Sequence, residues 1–524
     1  MIIFTSMNKH LPFIVSSVIL ILVVGIEFAA ILRTNSGVFV YPLDDTYIHL
    51  SIAENIAQGY YGINPGEFAS AASSIVWPFL LAPFTYFTIG IYIPLILNTI
   101  FEIATLFVLW KIFNRVFEFM EQKNLFLSLL LVLFIPATGM VGLIFTGMEH
   151  SLQVFSVVLI LYSIVKELQG EFDAQLMISS IALASIVRYE DLTVCLFAIA
   201  FFFVRGRKKY ALLSLFIVIA MLSSFSFFIY LNEGSFLPSS VMAKMGAMRS
   251  SMLNFSKIFE ITRSSFGMLY GTFLIVLLII AVINRKDFTT VILVSGATFI
   301  TLLHLSYGKT QYYGSLFLEF GYYFRYEMYL WTFLLTVMII LSRMFFIRAF
   351  RYSKTLFIVL LTIVELVVCG RVNVMLLSIP IASNNVFEQH LQIHNFVAQF
   401  YQKPVAMHDI GCVSYNNSSY VLDLWGLTSK KVLNIRKSNP GKSEWLDSLV
   451  NAKGISLVIM YDVWFPHHPA HWKKVAELTL TKPEITASEN VASFYAVNNA
   501  EEIIQKLKAF RNEMPLKEML RIIQ

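Results

Sequence analysis

The chain has 524 residues, of which 57% are hydrophobic and 14% charged. A soluble domain carries about 25% charged residues, so this composition excludes a protein that is soluble throughout. The net charge of +6 is spread over small basic clusters, which excludes a nucleic-acid footprint and suits a membrane-topology signal.

The first apolar stretch, Leu11–Leu32, is long for a signal peptide and carries no convincing small-residue cleavage site, so it reads as an uncleaved anchor. Directly after it comes Tyr41–Glu67, reading YPLDDTYIHLSIAENIAQGYYGINPGE. Ile48, Ile52 and Ile56 recur at helical spacing and predict a short helix with Asp45 or Thr46 as N-cap, ended by Gly59 and Asn64-Pro65-Gly66. A carboxylate beside hydrocarbon is costly to desolvate and tends to a raised pKa, which makes Asp44 and Asp45 functional candidates. The plainer reading is that they cap a surface helix. His49 lies one helical turn after Asp45. Two ligands are too few to argue for zinc, so no metal ligand is assigned, although a divalent metal stays possible.

Apolar segments long enough to span follow near 92–113, 124–145, 149–166, 173–189, 191–204, 210–231, 264–284, 288–305, 323–347 and 355–378. Ile75–Ile91 is apolar too, but Pro78 and Pro83 weaken a straight helix there. If it rests in the outer interface without crossing, the basic clusters all fall on the cytoplasmic side. These are Lys9, Lys111/Arg115/Lys123, Lys166, Arg205/Arg207/Lys208/Lys209, Arg285/Lys286 and Arg343/Arg348/Arg351/Lys354. The expected fold class is therefore a polytopic α-helical membrane protein of about eleven transmembrane helices, N-terminus cytoplasmic. Five polar stretches then share the outer side: Asp44-Asp45, Thr146-Gly-Met-Glu-His150, Arg188–Asp191, Phe236–Lys244 and Tyr307–Arg325. Each has a plain reading. Glu149 suits a helix N-terminal acid, Arg188 with Glu190 and Asp191 a self-neutralising loop, and Lys244 and Arg325 snorkelling at the interface. Glu27 and Glu102 lie within spans and need a partner or a proton.

After about Ile379 the chain turns polar. Residues 1–379 are expected to form the membrane domain and 380–524 an extracytoplasmic α/β domain. Val405–Met407 and Ile455–Met460 read as buried strands, and Phe387–Tyr401, Glu444–Ala452 and Ala500–Arg511 as amphipathic helices. His408-Asp409 and Pro466-His-His-Pro-Ala-His471 read as surface loop. Cys195, Cys369 and Cys412 are far apart and give neither a disulfide framework nor a CxxC motif.

Several of these pieces together resemble a family. The Asp-Asp pair after the first span, a helix ending in Ala-Gln-Gly, and Asn-Pro-Gly-Glu67 look like the first outer loop of GT-C glycosyltransferases. The resemblance is strongest to polyprenyl-phosphate-sugar enzymes of the mycobacterial terminal arabinofuranosyltransferase and protein mannosyltransferase-related group, and extends to the lipid A aminoarabinose transferases. Thr146-Gly-Met-Glu149 is similar to a Thr/Ser-Gly-x-Glu turn. Arg188-Tyr-Glu190 is similar to Arg-Pro-Glu, with Tyr189 for proline, and Leu237–Lys244 to Leu-Pro-Asn-x-x-x-Ala-Lys, with Ser239 for Asn. Asp409-Ile-Gly411 and Asp423-Leu-Trp-Gly-Leu427 resemble pieces of the family's outer domain. The resemblance implies an inverting membrane glycosyltransferase of the cytoplasmic membrane. It would pass a sugar from a polyprenyl-phosphate donor to a hydroxyl on a glycan, lipid or protein acceptor at the outer face, with no cofactor assigned. Asp44 would be the base, Asp45 an orienting acid and Glu149 a second acid. Arg188, Lys244 and Arg325 would contact phosphate, with Glu190 and His49 lining the site. The alternatives are a lipid-linked solute flippase or transporter, or an O-antigen ligase or polymerase.

Overall fold

A backbone in hydrocarbon must pair its own N–H and C=O groups, so the apolar two thirds of the chain is built of helices. The computed structural model describes residues 2–245, 265–307, 325–368, 370–439 and 441–523. The first eleven α-helices are α1 (Ile2–Thr34), α2 (Asp45–Ala57), α3 (Trp77–Leu81), α4 (Ile93–Val116), α5 (Lys123–Ala137), α6 (Met140–Thr146), α7 (His150–Leu168), α8 (Ala174–Val187), α9 (Leu192–Val204), α10 (Lys208–Glu233) and α11 (Ser239–Met245). Among the described residues five helices are long and apolar enough to cross a membrane: Lys9–Thr34, Gly90–Val116, His150–Leu168, Lys208–Glu233 and Phe288–Leu305. Two bent pairs raise that to seven, α5 with α6 at 47° and Met328–Leu341 with Arg343–Tyr352 at 67°. The first bend sits at Gly139, whose φ of +60° only glycine adopts without strain. Shorter apolar helices, Ala174–Val187, Tyr270–Ile283 and Lys354–Ile363, lie on three more of the eleven expected spans. Ile75–Ile91 holds only the five-residue α3 and single 3₁₀ turns, consistent with its two prolines.

The ends of the bundle differ in charge. At one end Arg115 pairs with Glu171 at 2.8 Å, Lys166 with Asp173 at 2.8 Å and Arg207 with Glu167 at 3.3 Å, while Arg205 lies 5.5 Å from the Phe288 ring. At the other end stand the starts of α2 and α7 and the α8–α9 turn, carrying Asp44, Asp45, Glu149 and Arg188.

The helix Gly370–Asn385 runs on through Val386–His390, Leu391–Asn395 and Phe396–Tyr401, two of these pieces being π-helical. The expected boundary at 379/380 thus falls inside a continuous helical run. Beyond it lies one six-stranded sheet of β1 (Val405–Met407), β2 (Val421–Asp423), β3 (Leu457–Met460), β4 (Lys473–Thr479), β5 (Val491–Ala496) and β6 (Leu520–Ile522), in the order β2-β1-β3-β5-β4-β6. β2, β1 and β3 are parallel, and the rest join antiparallel. β1 and β3 are buried at every residue, as their apolar runs predict. Helices form at Glu444–Ala452 and Ala500–Glu513.

The stretch Tyr41–Glu67 packs into this α/β region. Ile48, Ile52, Tyr61 and Ile63 share one core with Ile393, Phe396, Val397, Met407, Ile410 and Val413. Asn64 acts as a surrogate strand residue: its Nδ2 donates to Val421 O at 2.9 Å and its Oδ1 accepts from Val421 N at 2.9 Å. Glu54 accepts from Asn416 N at 3.1 Å.

Candidate active site

α2 starts at Asp45, not after it, so Asp44 occupies the cap position in place of the expected Asp45 or Thr46. Its side chain makes no capping bond. Instead the Gly411 N–H donates to Asp44 Oδ2 at 2.7 Å and the Cys412 N–H to Oδ1 at 2.8 Å. Gly411 is required by closeness: a Cβ there would stand 2.0 Å from the Asp44 carbonyl oxygen. Burial pushes the Asp44 carboxyl up to about 6; His390 pulls it down, Asp409 raises it, and the two amides lower it. Asp45 is half exposed and accepts from Arg325 Nη2 at 2.6 Å. Thr46 Oγ1 donates to Thr146 O, tying α2 to the turn that carries Glu149. That turn needs Gly147, at φ +64°.

Glu149 begins α7 but caps nothing with its side chain. Arg188 Nη1 donates to its Oε1 at 2.5 Å, Ser73 Oγ donates to the same oxygen at 2.7 Å, and His49 Nε2 lies 3.4 Å from Oε2. Burial pushes the Glu149 carboxyl up, but Arg188, His49 and His150 outweigh it and hold the acid well below the usual carboxylate range. Arg188 also grips Glu190 with Nη2 at 3.0 Å and Nε at 3.3 Å. Asp191 turns away and accepts from Gln153 Nε2 at 2.8 Å. The loop is therefore not self-neutralising on its own, since Arg188 reaches a buried acid on another helix. The possible metal pair also separates, with Asp45 on Arg325 and His49 on Glu149 and Ser73.

The two buried arginines converge. Arg188 Cζ lies 5.2 Å and Arg325 Cζ 5.0 Å from the centre of the Tyr326 ring. Guanidinium on an aromatic face is held without losing its charge. Asp44, Asp45, Glu149, Arg188, Glu190, His49 and Arg325 thus gather at one end of the bundle. Lys244 belongs to α11, whose start is tied to the same region by Ser239 N donating to Ser70 Oγ at 2.8 Å and Ser240 Oγ to Ala72 O at 2.8 Å. The Lys244 side chain lies outside the described residues, as do residues 308–324 of the expected Tyr307–Arg325 loop.

His408 and Asp409 correct the expectation of a surface loop. His408 is buried, and Asp409 Oδ2 sits 3.3 Å from His390 Nε2 and 3.4 Å from His408 Nε2. They follow the end of β1, where the Tyr461 and Trp464 rings cover His408. Ser73, Tyr326 and His390 also escaped the sequence reading; only the polar run around Ser73 and the helix period through His390 gave any sign of them.

A family model described as a domain of unknown function, DUF8728, matches residues 384–495. No curated protein matches the chain. Two crystal structures of ArnT from Cupriavidus metallidurans are similar to it at 9% identity and a TM-score of 0.48. The one bound to undecaprenyl phosphate aligns over 91% of this chain and 97% of its own, and the apo form over 92% and 98%. A likeness at that level says nothing of the chemistry.

Proposed function

We propose that the chain is an inverting membrane glycosyltransferase that moves a sugar from a polyprenyl-phosphate donor to an acceptor hydroxyl at the outer face of the membrane. The observation that carries this is the pair of buried arginines, Arg188 and Arg325, converging on the Tyr326 ring, with Arg325 bonded to Asp45, the residue next to the amide-held Asp44. The order of the sequence motifs supports the same family of reactions. Transfer needs a base for the acceptor proton and cations for the departing phosphate. Asp44 takes the proton from the acceptor hydroxyl as its oxygen bonds to the anomeric carbon. The bond from that carbon to the phosphate oxygen breaks, and the electron pair leaves with the lipid phosphate. Arg188 and Arg325 hold that anion, with Lys244 a further contact. Asp45 fixes Arg325, and Glu149 fixes Arg188 and His49.

The test is transfer of radiolabel from polyprenyl-phosphate sugars by the detergent-purified chain. Labelled acceptor with release of lipid phosphate is expected. Transbilayer movement of intact donor in vesicles without any transfer overturns the reading in favour of a transporter.

A further inference from the structure

Asp44 is held by a part of the chain that lies outside the membrane helices. Both its oxygens accept from consecutive amides at the start of the short helix Gly411–Ser414, which β1 reaches through His408-Asp409-Ile410. Asp409 in turn sits 3.3 Å from His390 Nε2 and 3.4 Å from His408 Nε2. His390 stands on the helical run that continues from the bundle, so it is fixed to the same frame as Asp44. These residues fall within 384–495, the segment matched as a domain of unknown function.

We propose that the α/β region completes the active site: the Gly411 and Cys412 amides and His390 are positioning residues that orient the Asp44 carboxylate, and Asp409 holds His390 in place. This rests on the transferase reading for its kinetic part alone. An imidazolium near a carboxylate favours the ionised form, and an amide pair fixes its plane. His390 is suited to that charge: burial pushes it toward the neutral form, but Asp409 and Asp44 outweigh this and raise it. Burial pushes Asp409 up, and His408 and His390 reverse that and lower it, so it stays charged beneath them. The other titratable groups here are Tyr47 and Cys412 against Asp44, the Asp45–Arg325 pair beside it, and His394 against the Cys412 backbone. Of the groups that act on Asp44 itself, His390 is the cation.

The test uses the full-length chain in detergent and has two readouts. Melting temperatures are measured for wild type, Asp44→Asn, His390→Gln and the double variant from about pH 5 to about pH 8. Non-additive effects at neutral pH that fade toward pH 5, where Asp44 takes up its proton, are expected; additive effects throughout overturn the coupling. The transfer rate is then followed against pH. His390→Gln should move the acid limb to higher pH and slow turnover about threefold or more near the limb, with donor affinity unchanged. Gly411→Ala puts a Cβ where Asp44 sits and should lower kcat without changing donor Kd. It tests the amide contact even if His390→Gln does not fold. Wild-type kcat and pH profile in both variants overturn the proposal. If the wild type transfers from no donor, the transferase reading falls, and the melting cycle still decides whether the His390–Asp409 pair holds Asp44.

Discussion

Asp44 and Asp45 are neighbours with unlike surroundings, and the difference decides what each substitution does. Asp44 is held by two amides and half covered; Asp45 faces Arg325 and is 41% exposed at its side chain. Asp44→Asn keeps the shape and removes the basicity, so turnover of the purified variant should fall by about 10²–10⁴. Asp45→Asn should lose less, since Arg325 keeps a hydrogen-bond acceptor. Near-wild-type turnover in Asp44→Asn with collapse in Asp45→Asn would move the base by one residue. The rate should also decline as pH drops through about 6, as Asp44 takes up a proton. The same shift fixes a stability trend. The folded state holds that proton more tightly than the unfolded chain, so the Asp44 contribution is present below about pH 4 and lost as pH rises through about 6. The melting temperature of Asp44→Asn relative to wild type should therefore climb between those two values. Arg325→Met removes one charge-assisted contact worth about 1.5–3 kcal/mol and should weaken donor affinity by about tenfold or more. Unchanged affinity, measured by equilibrium binding of a polyprenyl phosphate, would eliminate Arg325 as a phosphate contact.

At the scale of elements, the site depends on α2 being clamped between the α6–α7 turn and the α/β region. Gly147 is the closest point of the first clamp. Its φ is +64°, and a Cβ there would lie 2.4 Å from Thr46 Cγ2 and 2.8 Å from the Tyr41 ring. Gly147→Ala should lower stability by about 1–3 kcal/mol from overpacking, before any backbone strain, and should lower kcat with it. A melting temperature equal to wild type would show that α2 can shift freely. The elements themselves were largely legible in the sequence. The strands at 405–407 and 457–460 are short apolar runs with both faces buried, and the α2 period is plain in Ile48, Ile52 and Ile56. What joins them was not legible. Gly411 meets Asp44 across 367 residues, and neither periodicity nor local propensity carries information over that separation. His408-Asp409 looked like surface for the same reason, since its cover comes from Tyr461 and Trp464 after β3 and from His390. The π turns at Val386–His390 and Phe396–Tyr401 leave no local signature either.

For the whole molecule the question is which end of the bundle faces the cytoplasm. α7 is 19 residues long and so spans about 28 Å, enough to cross the hydrocarbon core. Glu149 stands at its start and Lys166 near its end, so the acidic site and the basic cluster of Arg115, Lys166, Arg205 and Arg207 are separated by one membrane thickness. Basic clusters favour the cytoplasmic side, which would put Asp44 and the α/β region outside. Lys208 and Glu484 are exposed reporters for the two sides. With Cys369 replaced by Ser, the remaining Cys195 and Cys412 are buried and should not react. Lys208→Cys should then take up a membrane-impermeant maleimide only after the cells are permeabilised, and Glu484→Cys in intact cells. Labelling of Lys208→Cys from outside would mean that the bundle is inverted, with the Asp44 end cytoplasmic, and the donor would then have to be presented from the cytoplasmic leaflet.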